Sequence, residues 1–160
     1  MTDLTKALAT AVVARAAERG ATVATAESCT GGLIAAALTD VPGASAVFGH
    51  GVVAYANAAK TRMLGVDPAL IAHRGAVSAE VAGAMAEGAA ALSGATVTVS
   101  VTGIAGPGGG SAGKPVGLVW FGLSAGGRTR TERRVFAGGG RAYVRERSVE
   151  TALRLVLGAL

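Results

Sequence analysis

Two hydrophobic periods alternate along this chain, and that alternation leaves few folds open to it. Leu4, Leu8, Val12 and Val13 recur at helical spacing within Asp3 to Arg19, and Gly20 follows as a stop. A short β-type run, Thr22 to Thr25, comes next, then an apolar helical run from Gly32 to Thr39 ended by Asp40-Val41-Pro42-Gly43. Val47 to Tyr55 reads as a second strand. Asn57 to Leu64 reads as a helix that Asn57 caps and Gly65 ends, and Pro68 to Arg74 as a turn or short helix. Ser78 to Leu92 is an Ala/Val-rich helix followed by Gly94, and Thr96 to Val101 alternates Thr or Ser with Val as a strand does. A glycine-rich loop spans Thr102 to Gly113. Val116 to Ser124 and Thr129 to Phe136 read as a hairpin through Ser124-Ala125-Gly126-Gly127, and Arg141 to Leu157 as a final helix. Helices alternating with strands, then a hairpin, predict a single-domain three-layer α/β/α sandwich over residues 1–160, with a mixed, mostly parallel sheet.

The 160 residues suffice for one real core, and 51% are hydrophobic, largely Ala and Val, so that core should be built of closely approaching small side chains. No run approaches the roughly 18 apolar residues of a transmembrane helix, so no membrane partner is expected. The start, Met1-Thr2-Asp3-Leu4-Thr5-Lys6, lacks the basic-then-apolar order of a signal peptide. A single cysteine excludes an internal disulfide and fits a reducing, cytoplasmic setting. The net charge is +5, and eight of the fifteen basic residues are arginines between Arg128 and Arg154. Only Phe136 and Tyr143 lie among them to stack on bases, so an anionic small molecule is a better expected partner than nucleic acid. The Ala/Val-rich helix Ser78 to Leu92 suits a homo-oligomer interface as well as a core.

Chemistry concentrates in Thr25-Ala26-Glu27-Ser28-Cys29-Thr30-Gly31-Gly32, a polar cluster at a strand-to-helix junction. The first N–H groups of a helix lack internal partners, so a nucleophile and oxyanion donors can share such a turn. Ser28 needs a base, and neither His50 nor His73 has a triad setting. Lys60, one of three lysines against twelve arginines, becomes a base if burial lowers its pKa. Tyr55 ends the second strand and can relay a proton or orient that lysine. The same residues also read as a helix cap and a solvated surface charge. Cys29 reads either as a thiol activated at a helix start or as a small packed hydrophobe. Glu27 reads as a partner holding Lys60 charged, a group orienting a substrate hydroxyl, a helix cap, or an exposed carboxylate favoured by the helix dipole.

The loop from Thr102 to Ser111 is glycine-rich enough to turn N–H groups toward a phosphate, although it lacks the Gly-Lys-Ser/Thr ending of a P-loop. Arg141 and Arg145, four apart on one helix face, can add phosphate charge or simply be solvated. No Cys/His cluster has metal-ligand spacing, so no metal and no cofactor are expected.

Five blocks together resemble the CinA C-terminal domain family. They are Thr25 to Gly32, Tyr55-Ala56-Asn57-Ala58-Ala59-Lys60, Gly75-Ala76-Val77-Ser78, Thr102-Gly103-Ile104-Ala105-Gly106-Pro107 and Lys114-Pro115-Val116-Gly117-Leu118-Val119-Trp120. The resemblance runs in order over nearly the whole chain. It implies a three-layer α/β fold and metal-independent hydrolysis of the carboxamide of nicotinamide mononucleotide to nicotinate mononucleotide and ammonia. It places the nucleophile at Ser28 and the base at Lys60, with Tyr55 in the same site. It further suggests substrate contacts at Glu27, Cys29, Thr30, Gly31, Gly32, Asn57, Thr102, Gly103, Gly106, Arg141 and Arg145. Ala56 and Ala58 stand where the family commonly has Ser and Glu, and Thr102 where Ser is common. Longer family members carry a further N-terminal domain, for which this chain is too short. The Ala58 departure and the basic C-terminal third leave a second reading open, a non-catalytic nucleotide-binding or regulatory domain.

Overall fold

Each segment finds the partner its sequence asks for. The computed structural model describes residues 1–160. Helix α1 (Asp3–Arg19) starts where the Thr2 hydroxyl accepts the Thr5 N–H and ends on Gly20 at φ 59°. Strand β1 (Val23–Glu27) leads through the polar turn into α2 (Leu33–Thr39). A 3-10 turn (Ala44–Ala46) precedes β2 (Phe48–Val53), and α3 (Asn57–Leu64) and α4 (Pro68–Arg74) follow. Helix α5 (Ala79–Ser93) begins at Ser78, whose hydroxyl accepts the Val81 N–H. Strands β3 (Val97–Gly103), β4 (Leu118–Ala125) and β5 (Arg128–Val135) and helix α6 (Gly140–Ala159) complete the chain.

The sheet has the order β2-β1-β3-β4-β5. β1 pairs in parallel with β2 and β3, while β4 runs antiparallel to both β3 and β5. Only β4 reverses direction, which is the mixed, mostly parallel sheet that the element order predicts. Helices α1, α2 and α6 cover one face and α3, α4 and α5 the other. The larger core holds Val12, Ile34, Leu38, Val99, Phe121 and Leu153, and a smaller one holds Val52, Leu64, Val81 and Met85.

The alternation in β3 has an outcome that polarity alone does not suggest. Every residue from Val97 to Thr102 is buried, hydroxyls included. Val97, Val99 and Val101 join the larger core. On the opposite face the Thr98 and Ser100 hydroxyls donate to the Ala86 and Ala82 carbonyls of α5 at 2.8 and 2.5 Å. Buried hydroxyls that meet helix carbonyls cost little, and they bolt α5 to the sheet.

Two local expectations change and one open choice closes. Asn57 does not cap α3: the cap position is Ala56 and makes no side-chain bond. Of turn or short helix, residues Pro68–Arg74 form the short helix, because Asp67 accepts the Ala69 N–H while Pro68 supplies a preset first turn. The third strand runs on through Thr102 and Gly103, which therefore belong to the sheet and not to the loop.

Close approach of α5 makes Gly122 sensitive. An added Cβ there would lie 2.2 Å from the Ala82 carbonyl oxygen. Gly122→Ala is expected to cost about 2 kcal/mol and lower Tm by about 4–8 °C. Gly113→Ala, where nothing lies within 4 Å, should leave the melt unchanged. Calorimetry on the two variants checks this.

Candidate active site

The turn after β1 is built around a buried anion. The Glu27 side chain is fully buried, and its oxygens accept the N–H groups of Gly32 at 3.0 Å, Ile34 at 3.1 Å and Ala35 at 2.8 Å. No cation pairs with it; the ion pairs are Lys6–Asp3, Arg74–Glu80, Arg134–Glu132 and Arg147–Glu150. Glu27 thus fills the amino end of α2 itself and makes no ion pair with Lys60. The Gly31 N–H closes a β-turn onto the Ser28 carbonyl at 3.0 Å, and the Ser28 N–H reaches Val101 of β3 at 2.9 Å. Ser28 is pinned on both sides.

The backbone donors at the start of α2 are not free to serve as oxyanion donors, as a helix start would suggest. The Gly31 and Gly32 N–H groups are already taken, by Ser28 and Glu27. The N–H groups of Cys29 and Thr30, at the middle of the turn, have no acceptor in the protein, and the buried Thr30 hydroxyl has no partner either.

Lys60 extends from α3 into the same place and is 1% exposed. Its Nζ lies 3.0 Å from the Ser28 Oγ, 3.0 Å from the Ala54 carbonyl and 3.0 Å from the Tyr55 carbonyl. Burial without a carboxylate lowers its pKa from the usual 10.5. The acceptors then decide what the neutral amine does. Two carbonyls can only accept, so they take its two hydrogens, and the lone pair is left facing the Ser28 hydroxyl. In the charged form the third N–H donates to that oxygen instead. The Ser28–Lys60 pair can therefore take a proton from the serine and return it.

Cys29 sits in the larger core at 5% exposure, and burial pushes its thiol up to about 11, so it stays protonated at neutral pH. Its side chain is a packed hydrophobe. Tyr55 contributes to the lysine through its backbone; its exposed hydroxyl accepts from Arg141 at 2.9 Å and makes no bond to Lys60. Arg141 also donates to the Gly106 carbonyl at 3.0 Å, joining the two loops beside the dyad. Arg145 faces the turn, donating to the carbonyls of Cys29 and Thr30 at 3.1 and 3.0 Å. The Thr102 hydroxyl is spent on the Ala76 carbonyl at 2.8 Å.

Gly103 and Gly106 answer to packing, since a Cβ would meet Val119 at 2.7 Å or Val116 at 2.6 Å. The N–H groups of Ala105, Gly106, Gly108, Gly109 and Gly110 have no acceptor, which leaves that loop able to receive an anion. Asn57 and Ala58 line a groove against α4 with Pro68 and Ile71, and that groove includes neither Ser28 nor Lys60. No three His, Cys, Asp or Glu side chains converge as metal ligands would. The Ala54 and Tyr55 carbonyls and the free turn N–H groups have no signature in side-chain sequence.

The comparisons agree with this architecture. The model of the CinA C-terminal domain family matches residues 5–160. The chain belongs to the CinA C-terminal domain family. A CinA-like protein of Mycolicibacterium vanbaalenii is 52% identical over 141 residues, covering 88% of this chain and 33% of that protein. A putative competence-damage inducible protein of Moorella thermoacetica is 48% identical over 90% of this chain and 34% of its own length. The chain thus spans about a third of the curated relatives it matches. Among solved structures, the competence/damage inducible protein CihA of Agrobacterium tumefaciens superposes with a TM-score of 0.97 at 44% identity, over 99% of this chain and 97% of that one. A CinA superfamily protein of Escherichia coli gives a TM-score of 0.94 at 34% identity, over all of this chain and 94% of that one.

Two measurements check this CinA-family site. Glu27→Ala leaves three helix N–H groups without their acceptor and should destabilise by about 3 kcal/mol in denaturant titration. Lys60 has a depressed folded-state pKa, so below 10.5 the unfolded chain binds more protons than the native one. Wild type should therefore gain stability relative to Lys60→Met as pH rises toward 10.5, by at most about 1.4 kcal/mol per pH unit. A difference that shrinks with rising pH would mean a lysine held charged.

Proposed function

We propose that this CinA-family domain is an amidohydrolase that converts nicotinamide mononucleotide to nicotinate mononucleotide and ammonia. The observation that carries the reading is the buried Lys60 amine, held by two carbonyls with its remaining position on the Ser28 oxygen. Lys60 takes the Ser28 proton as Oγ adds to the carboxamide carbon. The oxyanion receives the unclaimed N–H groups of Cys29 and Thr30. The Lys60 ammonium then protonates the departing nitrogen, and ammonia leaves an ester on Ser28. Water, deprotonated by the same amine, adds to the ester carbon; the Lys60 ammonium returns that proton to the departing Ser28 Oγ, and the freed acid ionises to the carboxylate. Residues 105–110 and Arg141 would receive the ribose phosphate. Ala58 lies on the α3–α4 groove, so its difference from the common Glu leaves the dyad intact, which favours catalysis over a purely binding role.

The test is ammonia release from nicotinamide mononucleotide without added metal. Wild type should turn over at about 1 s⁻¹ or faster. Ser28→Ala and Lys60→Ala should each lose at least about 1,000-fold in kcat. Rate should rise with pH as Lys60 loses its proton, with a midpoint below 10.5 because burial lowers its pKa. A folded wild type without turnover, or full activity in Ser28→Ala, would sink the reading. Tight mononucleotide binding without turnover would make the domain a nucleotide-binding module instead.

A further inference from the structure

Arg145 has an unusual set of partners. Its guanidinium is half-buried on α6, pairs with no carboxylate, and spends two donors on consecutive carbonyls, Cys29 at 3.1 Å and Thr30 at 3.0 Å. Neighbouring Glu150 pairs with Arg147 instead. Those two carbonyls belong to the β-turn that Ser28 opens and Gly31 closes. The middle peptide of a β-turn is its loose part, because types I and II differ by turning that one peptide over. Here it is the Cys29–Thr30 peptide. It is trans, so its C=O and its N–H point in opposite directions. Whatever holds the Cys29 carbonyl also aims the Thr30 N–H.

We infer that Arg145 is a positioning residue that locks the middle peptide of the Ser28 turn, so that the Thr30 N–H stays aimed as an oxyanion donor. Three observations converge on this. The Thr30 N–H and the adjacent Cys29 N–H are without acceptors, while those of Ser28, Gly31 and Gly32 are all engaged. No non-glycine residue has positive φ, so Thr30 holds the type I orientation; type II needs positive φ at that position, which its branched Cβ opposes. The clamp is a guanidinium, which keeps its charge at any working pH and meets two carbonyls at once. A carbonyl that accepts from a cation also polarises its peptide, strengthening the opposite N–H as a donor. This role differs from the phosphate contact that sequence alone suggests for Arg145, and it rests on Ser28 being the nucleophile.

The test uses the intact chain, with Arg145→Met and Arg145→Lys beside wild type, each checked for folding by thermal melting. Ammonia release is followed on nicotinamide mononucleotide and on nicotinamide riboside, which lacks the phosphate. Loss of an aimed donor should lower kcat of Arg145→Met by roughly 100-fold, by the same factor on both substrates. KM should stay within about threefold of wild type, because the donor acts on the transition state. Arg145→Lys should recover part of the loss, since an ammonium can hold one of the two carbonyls; it also carries the comparison if Arg145→Met does not fold. A rise in KM confined to the phosphate-bearing substrate would make Arg145 a phosphate ligand and overturn the inference. Wild-type kcat in Arg145→Met would overturn it too.

Phosphonylation of Ser28 by a fluorophosphonate gives a readout independent of the pyridine substrate. It needs the dyad and the oxyanion donors alone, and its rate should fall by a similar factor in Arg145→Met. If wild type is modified at Ser28 yet inert on the mononucleotide, the proposed substrate fails, and Arg145 is judged on phosphonylation. If Ser28 is never modified, both proposals fall.

Discussion

Glu27 ends a buried strand with a carboxylate that meets no cation at all. Its charge is balanced by three N–H dipoles from the first turn of α2. Such an arrangement is costly to break, because a buried anion stripped of its donors has no fallback in solvent. It sets where α2 begins, and so how the five residues between strand and helix must fold. The Ser28 turn, its contact to β3 and the free N–H groups at its centre all follow from that one anchored carboxylate. The Glu27 carboxylate is thus part of the framework, and the N–H groups of Cys29 and Thr30 beside it stay without acceptors.

The two cations beside the turn are handled by one device to opposite ends. Lys60 and Arg145 both donate to backbone carbonyls and neither meets a carboxylate. A lysine in that setting gives up its proton more easily than a solvated one, since burial penalises the ammonium and no carboxylate offsets that penalty. An arginine in that setting keeps its charge and becomes a rigid brace. Exchanging the two residue types would leave a permanent cation beside the Ser28 hydroxyl and a brace with one arm.

Much of the fold was legible because periodicity reports burial directly. The helix Asp3–Arg19 and the hairpin at Gly126–Gly127 were readable from apolar spacing and glycine placement, and strand ends moved by a residue or two where β3 ran on into Thr102 and Gly103. The site was legible only as a set of places. Sequence brought Ser28 and Lys60 forward by type and motif, but not the Ala54 and Tyr55 carbonyls that set the lysine's state. Glu27, Thr102 and Arg145 were assigned to substrate, and each is engaged with backbone in the folded chain. A polar side chain looks the same in sequence whether it meets a ligand or a peptide group. Only the full count of backbone donors and acceptors separates the two.

The distances along the chain between these partners give the site a history. Ser28 leans on Val101, receives Lys60 across 32 residues, and is braced by an arginine 116 residues beyond Cys29. Contacts so far apart in sequence close late and together. The turn that carries the serine is therefore finished by the tertiary fold, from β3, α3 and α6 together, and not by its own local sequence.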